Sequence, residues 1–568
     1  MSGPSRALFL SAVLLAGAAA SVYAAVASSS LAQAQPAAAA VADPCARLAG
    51  LKLDQVEIVS AKSEPAGAPV EGVHLFGGMM GKPEWGPPAK DLPAFCRVAG
   101  RIHPEPGSEI GFEVWMPAQD WNGRLSGLGI GGFAGSIDYV GLSSAVKAGQ
   151  AGVATDTGHS GSMVDSAWAN GHPEKVRDYG WRAIHLSTAA AKTIAASYYG
   201  RGPDHAYFVG CSGGGRQGLM EASRFPEDYD GVVAGAPAAL WTDLAIAMIN
   251  PVQAQLAPGA AIRKAQIRLL QDEVVRQCDA LDGQVDGLVA DARRCKPDLS
   301  KLACGVNSSA QCFTPPQLTA LEKIFAGPHD KAGRQLAAGY PPSGSEAGAP
   351  NGWDGYILTG PSGRPGGEVL VGGLLKDVVQ TPFATPESFD FNKDPARLKA
   401  ALAADLDATP DLRRFFGRGG KLILWHGWAD AAIPPGATLR FHEAVERSSG
   451  PQAKDSMRLF MVPGVQHCEG GVGPDVFGQA NAPQPGDTSE RSMSAALEAW
   501  VETGRKPDMF VARRGGGAMM GMPEAKPEKQ RLLCAYPAEA VLAPGADPDK
   551  AASYSCRVAS RATPRLLN

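Results

Sequence analysis

The sequence of 568 residues has no surplus of basic side chains. Its 53 Lys and Arg residues are outnumbered by 57 Asp and Glu residues, which gives a formal net charge of −4. Proteins that bind nucleic acids normally carry a clustered basic excess that displaces counterions from phosphates, so we expect no nucleic-acid partner. Disorder is disfavoured too, because 45% of the residues are hydrophobic and 19% are charged, a balance that allows a large buried core.

Long hydrophobic runs are missing beyond the N-terminus, where no segment approaches the ~18 unbroken apolar residues of a membrane helix. The N-terminus itself has Arg6, an apolar run over 7–15 and then Ala32-Gln33-Ala34, an A-x-A-type cleavage site. We interpret residues 1–34 as a secretory signal peptide, with an uncleaved N-terminal anchor as the alternative. The mature protein is then expected to have no membrane contact and to be secreted or periplasmic.

The sequence also has no C-x-x-C pair, which disfavours a zinc ribbon or a thioredoxin-like site. Its ten cysteines are an even number, and in an exported protein such a set is expected to form disulfides. Closeness along the chain favours four pairs: Cys45 with Cys96, Cys278 with Cys295, Cys304 with Cys312, and Cys534 with Cys556. The two cysteines that remain, Cys211 and Cys468, would form the fifth pair. Spacing alone leaves other connectivities open.

Glycine and proline, in contrast, are abundant, with 69 and 45 residues, and they predict many tight turns. From about residue 110, short apolar runs bounded by glycines alternate with longer helical stretches. The predicted strands are 112–115, 124–129, 152–156, 206–209, 231–234, 421–425 and 458–462, and the longer helices include 181–198 and 491–503. Strands separated by helices indicate a mainly parallel sheet covered on both faces, which is an α/β fold.

The alternation stops between about residues 240 and 418, in a block with four cysteines and many glycines and prolines. A connection of this length is not a plain loop inside a compact domain, so we predict an inserted subdomain. Its place between two strands suggests a lid over the carboxyl ends of the sheet, where open α/β sheets bind ligands. The predicted organisation is an α/β domain in two parts, 35–239 and 419–568, with a lid subdomain over 240–418.

A G-x-S-x-G motif is formed by Gly210-Cys211-Ser212-Gly213-Gly214, directly after the predicted strand 206–209 and at the start of a helical stretch. In that context the motif is typical of a nucleophile elbow, a strained turn that exposes the serine hydroxyl. In a chain so rich in glycine one chance match is expected, so a turn that only packs stays open on the motif alone. A phosphate-binding loop is disfavoured, because G-x-x-x-x-G-K-[ST] is absent.

Two further residues complete the order of a hydrolase triad. Asp430 follows the predicted strand 421–425, and His467 follows the predicted strand 458–462. The order Ser212, Asp430, His467 is the one that α/β hydrolases use. We expect His467 to take the proton of Ser212, and Asp430 to fix the imidazole tautomer and stabilise its cation.

The cysteines next to two of these residues offer an independent check. Cys211 precedes the predicted nucleophile and Cys468 follows the predicted base. A triad needs Ser and His within hydrogen-bond reach, and a disulfide needs Cα atoms within roughly 4.4 to 6.8 Å, so one close approach would serve both. The alternative is that these are two unrelated buried thiols.

Several segments resemble the tannase and feruloyl esterase family. They are G-C-S-G-G-G-R-Q-G at 210–218, F-P-E-D-Y-D-G-V-V-A-G-A-P at 225–237, A-T-D-T-G-H at 154–159, G-G-K-L-I-L-W-H-G at 419–427 and Q-H-C at 466–468. The resemblance runs from about Cys45 to Cys556. It implies an α/β-hydrolase fold, a bond between Cys211 and Cys468 beside the triad, and catalytic roles for Ser212, Asp430 and His467.

An oxyanion hole needs two backbone N–H groups that point at the developing negative charge. We expect Gly213, after the nucleophile, to supply one of them. The other is expected from the glycine-rich turn 129–135, with Gly132 as first choice and Gly131 as second. Two other residues of a resembling segment, Asp156 and His159, are expected to hold a nearby loop by hydrogen bonds. His426 is expected to be structural, since His467 already takes the role of the base.

A cluster of carboxylates lies in the predicted lid at Asp279, Asp282 and Asp286. Gly283 and Gly287 favour a wrapped loop over a helix, and a loop that gathers carboxylates suits a hard cation. It is not an EF-hand, because no Glu stands at the twelfth position from Asp279. The resemblance implies a structural calcium ion here, and the alternative is a solvated acidic turn without an ion. The expected ligands are the three carboxylates and the backbone carbonyls of two residues, Gln284 and Leu288; no organic cofactor is expected.

The reaction that the resemblance implies is hydrolysis of an aromatic-acid ester through an acyl-enzyme. Its ranking of substrates is feruloyl-type esters first, galloyl esters (tannase activity) second and terephthalate monoesters third. Aromatic residues of the lid are candidates for the pocket, although core packing is the better default for any single one of them: Trp241, Trp353, Tyr356, Phe383, Phe415 and Phe416. The alternative of another class is a catalytically silent secreted binding protein on a hydrolase scaffold.

Overall fold

The computed structural model describes residues 43–78, 81–305, 311–348, 350–358, 365–514 and 529–558. The predicted signal peptide, 1–34, lies outside the described residues. Among the described residues, no helix is long and apolar enough to cross a membrane.

A nine-stranded sheet forms the centre of the molecule. Its strands are β1 (Val56–Glu64), β2 (Phe95–Ile102), β3 (Ile110–Pro117), β4 (Arg124–Leu128), β5 (Ala151–Thr155), β6 (His205–Cys211), β7 (Gly231–Gly235), β8 (Lys421–Gly427) and β9 (Met457–Val462). Their order is β1-β2-β3-β5-β4-β6-β7-β8-β9. The pairs from β5 to β9 are parallel, and β1, β2 and β3 add an antiparallel edge. The prediction of a mainly parallel sheet is therefore confirmed.

Fourteen α-helices are seen in the described residues. They are α1 (Tyr139–Lys147), α2 (Pro173–Arg177), α3 (Ala183–Tyr199), α4 (Gly213–Arg224), α5 (Trp241–Ala254), α6 (Lys264–Cys278), α7 (Pro315–Ala326), α8 (Trp353–Tyr356), α9 (Gly366–Gly373), α10 (Asp394–Leu406), α11 (Arg413–Gly417), α12 (Pro435–Ser449), α13 (Pro451–Ser456) and α14 (Met493–Thr503). The predicted helix 491–503 starts two residues later than expected, because the Ser492 hydroxyl caps it by accepting the N–H of Ala495.

Helices cover both faces of the sheet, because successive residues of a strand pack against different helices. Phe208, Leu422 and Leu424 pack in one cluster with residues of α3, α4 and α12. Their strand neighbours Ile423 and Trp425 point the other way, into a cluster with residues of α14. Because these strands are buried on both faces, their sequences are apolar runs without strict alternation of polar residues. Short apolar runs in the sequence therefore predicted the strands.

The segment between β7 and β8 contains helices α5 to α11, and none of its described residues joins the central sheet. Its helices pack in two apolar clusters, of which one joins α5 with α9 and α10 and the other joins α6 with α7. Both clusters also include residues outside the segment, such as Tyr179 and Ala431. Backbone contacts place Asp43–Asn568 in a single unit, so the limits of the lid at 240 and 418 stay a prediction.

Five disulfides join the ten cysteines in the pairs that the sequence favours: Cys45–Cys96, Cys211–Cys468, Cys278–Cys295, Cys304–Cys312 and Cys534–Cys556. The last pair connects two small hairpin sheets that follow α14. These sheets pair β10 (Met509–Arg513) with β11 (Gln530–Cys534), and β12 (Ala538–Leu542) with β13 (Tyr554–Val558).

Candidate active site

Ser212 lies in the turn between strand β6 and helix α4, at the carboxyl end of the parallel sheet. Its φ of 62° and ψ of −123° place a non-glycine residue in a strained, left-handed region. The strain persists because strand and helix approach so closely that a Cβ at Gly210 would lie 2.5 Å from the carbonyl carbon of Gly214. This is the geometry of a nucleophile elbow, and it presents the serine side chain at the end of β6.

His467 and Asp430 are joined directly. Asp430 lies in the loop after β8, and its Oδ2 atom accepts a hydrogen bond from Nδ1 of His467 at 2.8 Å. With Nδ1 occupied, Nε2 is the ring nitrogen that remains for a second proton partner. The ring of Tyr356 meets the imidazole edge-on, with ring centroids 5.6 Å apart.

The carboxylate of Asp430 is fully buried yet well supplied with donors. Its Oδ1 accepts the backbone N–H groups of Ala432 and Ile433, both at 2.8 Å, and Nε2 of His426 lies 3.2 Å from Oδ2. Burial alone would raise the pKa of Asp430, but the neighbouring His467 and His426 lower it below the ordinary value. Asp430 is therefore ionised over the working pH range.

A disulfide holds the serine turn against the histidine loop. Cys211 and Cys468 are bonded, with Cα atoms 6.0 Å apart and a sequence separation of 257 residues. Ser212 and His467 are their direct neighbours in the chain, and both line one cavity of about 610 Å³. The structure thus brings all three predicted triad residues to a single site.

The predicted oxyanion donors also meet at this site. A Cβ on Gly213 would lie 3.2 Å from the carbonyl oxygen of Gly132, and one on Gly131 would lie 4.0 Å from Oγ of Ser212. In the described part of the chain, the N–H groups of Gly131, Gly132 and Gly213 donate to no backbone carbonyl. All three are consequently candidates, and the Gly132 carbonyl is fixed by a hydrogen bond from the Tyr179 hydroxyl at 2.9 Å.

Asp156 and His159 support a loop and do not line the cavity in the part of the chain that the structure describes. Oδ1 of Asp156 accepts the N–H groups of Gly111 and Gly158, and Nε2 of His159 lies 2.8 Å from the carbonyl oxygen of Phe133. Burial raises the pKa of Asp156 to about 7 and lowers that of His159 to about 4. Both side chains are therefore less charged than their solvated counterparts, which suits a role in loop packing.

His426 is likewise held in a structural position. It is completely buried, with Nδ1 2.7 Å from the Thr438 hydroxyl and Nε2 3.0 Å from the carbonyl oxygen of Ile433. Its closeness to Asp430 helps to fix the carboxylate, and the side chain does not line the cavity.

Comparison with known proteins identifies the chain's relatives. The family model described as "Tannase and feruloyl esterase" matches residues 96–557. The chain belongs to the tannase and feruloyl esterase family. It is 36% identical to an uncharacterized esterase of Xanthomonas campestris pv. campestris, over 90% of this chain and 91% of that one. It is 32% identical to the mono(2-hydroxyethyl) terephthalate hydrolase of Piscinibacter sakaiensis, with coverages of 82% and 85%.

A solved structure agrees with this family. Feruloyl esterase B from Aspergillus oryzae superposes with a TM-score of 0.79 at 25% identity, over 90% of this chain and 99% of that one. The chain is accordingly a carboxylic-ester hydrolase with the α/β-hydrolase fold, as the sequence predicted.

Part of the cavity wall was not predictable from the motifs of this family. Of the six lid aromatics considered, Trp241 and Tyr356 line the cavity. The other four do not line it in the described structure, and they pack in or against apolar clusters, as the core-packing alternative predicted for any single one: Trp353, Phe383, Phe415 and Phe416. Phe76, Asp138 and Met163 also line the cavity, although they come from loops with no motif that signals a pocket.

The carboxylates expected to bind calcium lie close together but already have partners. Asp279 accepts the backbone N–H groups of Asp286 and Gly287, and Asp286 accepts a hydrogen bond from the guanidinium of Arg531. Arg531 also lies 3.5 Å from Oδ2 of Asp282, a buried oxygen with no hydrogen-bond donor among the described residues. Burial raises the pKa of Asp282 to about 6. The oxygen donors fit a hard cation, and the charge of Arg531 is a competing source of neutralisation.

A second group that was not predicted is formed by His185, Glu221 and Asp228, whose ligand atoms all lie within 4.8 Å of one another. Nδ1 of His185 is 2.6 Å from Oδ2 of Asp228, and the ammonium of Lys192 is 4.0 Å from Oδ1. Complete burial and the charge of Asp228 raise the pKa of Glu221 well above its ordinary value. With nitrogens of His185 and Lys192 already beside the carboxylate of Asp228, this group forms a polar network that joins α3 to α4 and to the loop that follows it.

Proposed function

We propose that the chain is a secreted serine esterase that cleaves aromatic-acid esters, with Ser212 as nucleophile, His467 as general base and Asp430 as the group that orients the base. The single observation that carries this proposal is the hydrogen bond between His467 and Asp430, beside a disulfide that holds the histidine loop at the serine turn. The five disulfides support an oxidising location, outside the cell or in a periplasm. This location rests on cleavage of the segment 1–34 as a signal peptide.

The reaction follows from the roles of these side chains. Ser212 Oγ attacks the ester carbonyl while its proton passes to Nε2 of His467, and the ionised Asp430 stabilises the imidazolium that forms. His467 then gives the proton to the leaving alcohol oxygen, which leaves an acyl group on Ser212. Water attacks this acyl group with His467 again as the base, and the acid is released with Ser212 restored.

The charge that develops on the carbonyl oxygen needs two fixed donors. The N–H of Gly213, at the start of α4, is aided by the positive end of the helix dipole. Gly132 is the proposed second donor and Gly131 the alternative, since both lie in the turn that packs against Gly213.

The lining of the cavity supports an aromatic acyl group. Phe76, Met163, Trp241 and Tyr356 surround the site with apolar surface, and the volume of about 610 Å³ holds a small aromatic acid with its alcohol. We rank feruloyl-type esters first, galloyl esters second and terephthalate monoesters third. A panel of methyl ferulate, methyl gallate and mono(2-hydroxyethyl) terephthalate tests the ranking, and turnover of short aliphatic esters alone would refute the aromatic class.

Covalent labelling with a fluorophosphonate probe distinguishes the proposed serine esterase from a catalytically silent binding protein on the same scaffold. We expect the folded protein to be labelled at Ser212 and the Ser212→Ala variant to remain unlabelled, because only an activated serine reacts with the probe. A folded wild-type protein that stays unlabelled would favour the silent scaffold.

A structural calcium ion is the further proposal for the loop 279–288. Asp279, Asp282 and Asp286 would supply carboxylates, and the carbonyls of Gln284 and Leu288 would complete the shell. The ion would add positive charge where Asp282 has a buried oxygen without a donor. Its role would be to brace the loop that the Cys278–Cys295 disulfide closes, far in sequence from the triad.

A further inference from the structure

The side chain of Asp138 places a carboxyl group on the wall of the catalytic cavity. Among the described residues that line it, the acidic side chains are Asp138 and Glu469, and none is Lys or Arg. The wall near Asp138 in the chain is apolar, with Ile137 and Val140 on either side of it. Burial raises the pKa of Asp138 above its ordinary value, as expected for an acid held against apolar surface.

The fold fixes the position of Asp138. It is the N-cap of helix α1, and its Oδ1 accepts the backbone N–H of Gly141 at 3.0 Å. The helix begins in the same β4–α1 connection as the glycine turn 129–135, which carries the proposed oxyanion donors Gly131 and Gly132. A carboxyl group is not required for the cap, because Ser and Asn cap helices about as well as Asp.

We propose that Asp138 is a specificity-determining residue that hydrogen-bonds a ring hydroxyl of the aromatic acyl group. The inference rests on the proposed function, since it names which aromatic acids the cavity accepts. A polar anchor on an apolar stretch of the wall selects between substrates, because an analogue that lacks the hydroxyl forfeits a hydrogen bond to an acidic group. Phenolic acids are therefore favoured over unsubstituted ones.

The same carboxyl group acts against acyl groups that carry a free carboxylate. A terephthalate monoester would bring a second negative charge into the cavity, and none of the described lining residues is a Lys or Arg that would neutralise it. Asp138 thus gives a physical reason for placing terephthalate monoesters last.

The test compares three substrates in wild type and in Asp138→Ser, which keeps the cap and removes the reach of the carboxyl. For methyl 4-hydroxycinnamate relative to methyl cinnamate, we expect the ratio of kcat/KM to fall by about 10-fold or more, the effect of losing one hydrogen bond to an acidic group. Asp138→Asn is expected to raise the kcat/KM for mono(2-hydroxyethyl) terephthalate relative to methyl cinnamate, since an amide at this position never carries a negative charge. Thermal unfolding of both variants checks that the cap is kept.

Glu469→Gln is the matched control, because it neutralises the other carboxyl group on the described wall. We expect it to leave unchanged the ratio of kcat/KM for methyl 4-hydroxycinnamate to that for methyl cinnamate. An unchanged ratio in folded Asp138→Ser, or a fall in Glu469→Gln instead, would overturn the assignment. Failure of the proposed function itself has a different signature, since wild type would then hydrolyse none of the three esters.

Discussion

At the scale of single residues, the site depends on a few side chains whose surroundings set their charge. Asp430 is buried and ionised because His467, His426 and two backbone N–H groups face it. Its position after a buried strand was predictable from the order of the triad, whereas its partner His426 was not assigned a role in orienting it. The rest of the cavity wall comes from separate loops, so no local pattern in the sequence brings Phe76, Asp138 and Trp241 together.

Replacing Asp430 with Asn is expected to lower kcat by about 10³- to 10⁴-fold, because the amide offers the wrong hydrogen-bonding group to the imidazole and no charge to its cation. Steady-state hydrolysis of methyl ferulate measures the loss, and circular dichroism checks the fold. An Asn variant with kcat within a few-fold of wild type would remove Asp430 from the triad.

Asp156 gives a pH-dependent effect on stability. Its folded pKa, about 7, is above the ordinary value of 3.8, so its contribution is fully present below pH 3.8 and is lost as the pH rises toward 7. Asn in its place keeps an oxygen for the N–H groups of Gly111 and Gly158 but cannot ionise. We expect Asp156→Asn to gain unfolding free energy relative to wild type between pH 4 and pH 8. A difference that stays constant across denaturant titrations in this range would contradict the raised pKa.

At the scale of elements, the sequence predicted best those strands that are short, apolar and bounded by glycine. Strands β6, β7 and β8 are buried on both faces and were found within two residues of their limits. The edge strand β1 and its neighbour β2 were missed. In β1, partly buried and exposed residues alternate irregularly, and a register shift between Ile58 and Ser60 interrupts its pairing with β2. The hairpins that follow α14 were missed as well, since strands of five residues are too short for a strong periodic signal.

The disulfide between β6 and the histidine loop is expected to contribute more to stability and activity than a disulfide that closes a short local loop. Replacing Cys211 and Cys468 together with Ser should cost about 2–5 kcal/mol of unfolding free energy and should lower kcat/KM, because the serine turn and His467 lose their covalent connection. The matched control is Cys304→Ser with Cys312→Ser, a pair separated by only 8 residues. Denaturant unfolding and methyl ferulate kinetics measure both effects. Equal losses in the two double variants would argue against a special role for the bond beside the triad.

At the scale of the whole molecule, a sheet covered by helices on both faces carries the proposed triad at its carboxyl edge, and the segment between β7 and β8 adds Trp241 and Tyr356 to the cavity. The break in strand–helix alternation predicted a separate segment between these strands, and its extent as a lid subdomain stays a prediction. Which of its aromatic residues reach the cavity was not predictable, because Trp353, Phe415 and Phe416 are buried in apolar clusters and Phe383 packs partly buried against another.

Calcium removal tests the proposed brace in this insertion. We expect a chelator such as EGTA to lower the Tm, and added Ca²⁺ to restore it, because binding to the folded state alone stabilises that state. Asp282→Asn should show a lower starting Tm and little response to either reagent. A wild-type Tm that is indifferent to chelator and to Ca²⁺ would show that Arg531 alone neutralises the loop.

The most direct test of the account is to trap the covalent intermediate. Wild-type protein mixed with methyl ferulate is quenched in acid within the first turnovers, digested and analysed by mass spectrometry. The account predicts one feruloyl group on the peptide that contains Ser212, and none on that peptide in Ser212→Ala. Ferulate released by a folded protein whose Ser212 is never acylated, or an acyl group found on another residue, would contradict it.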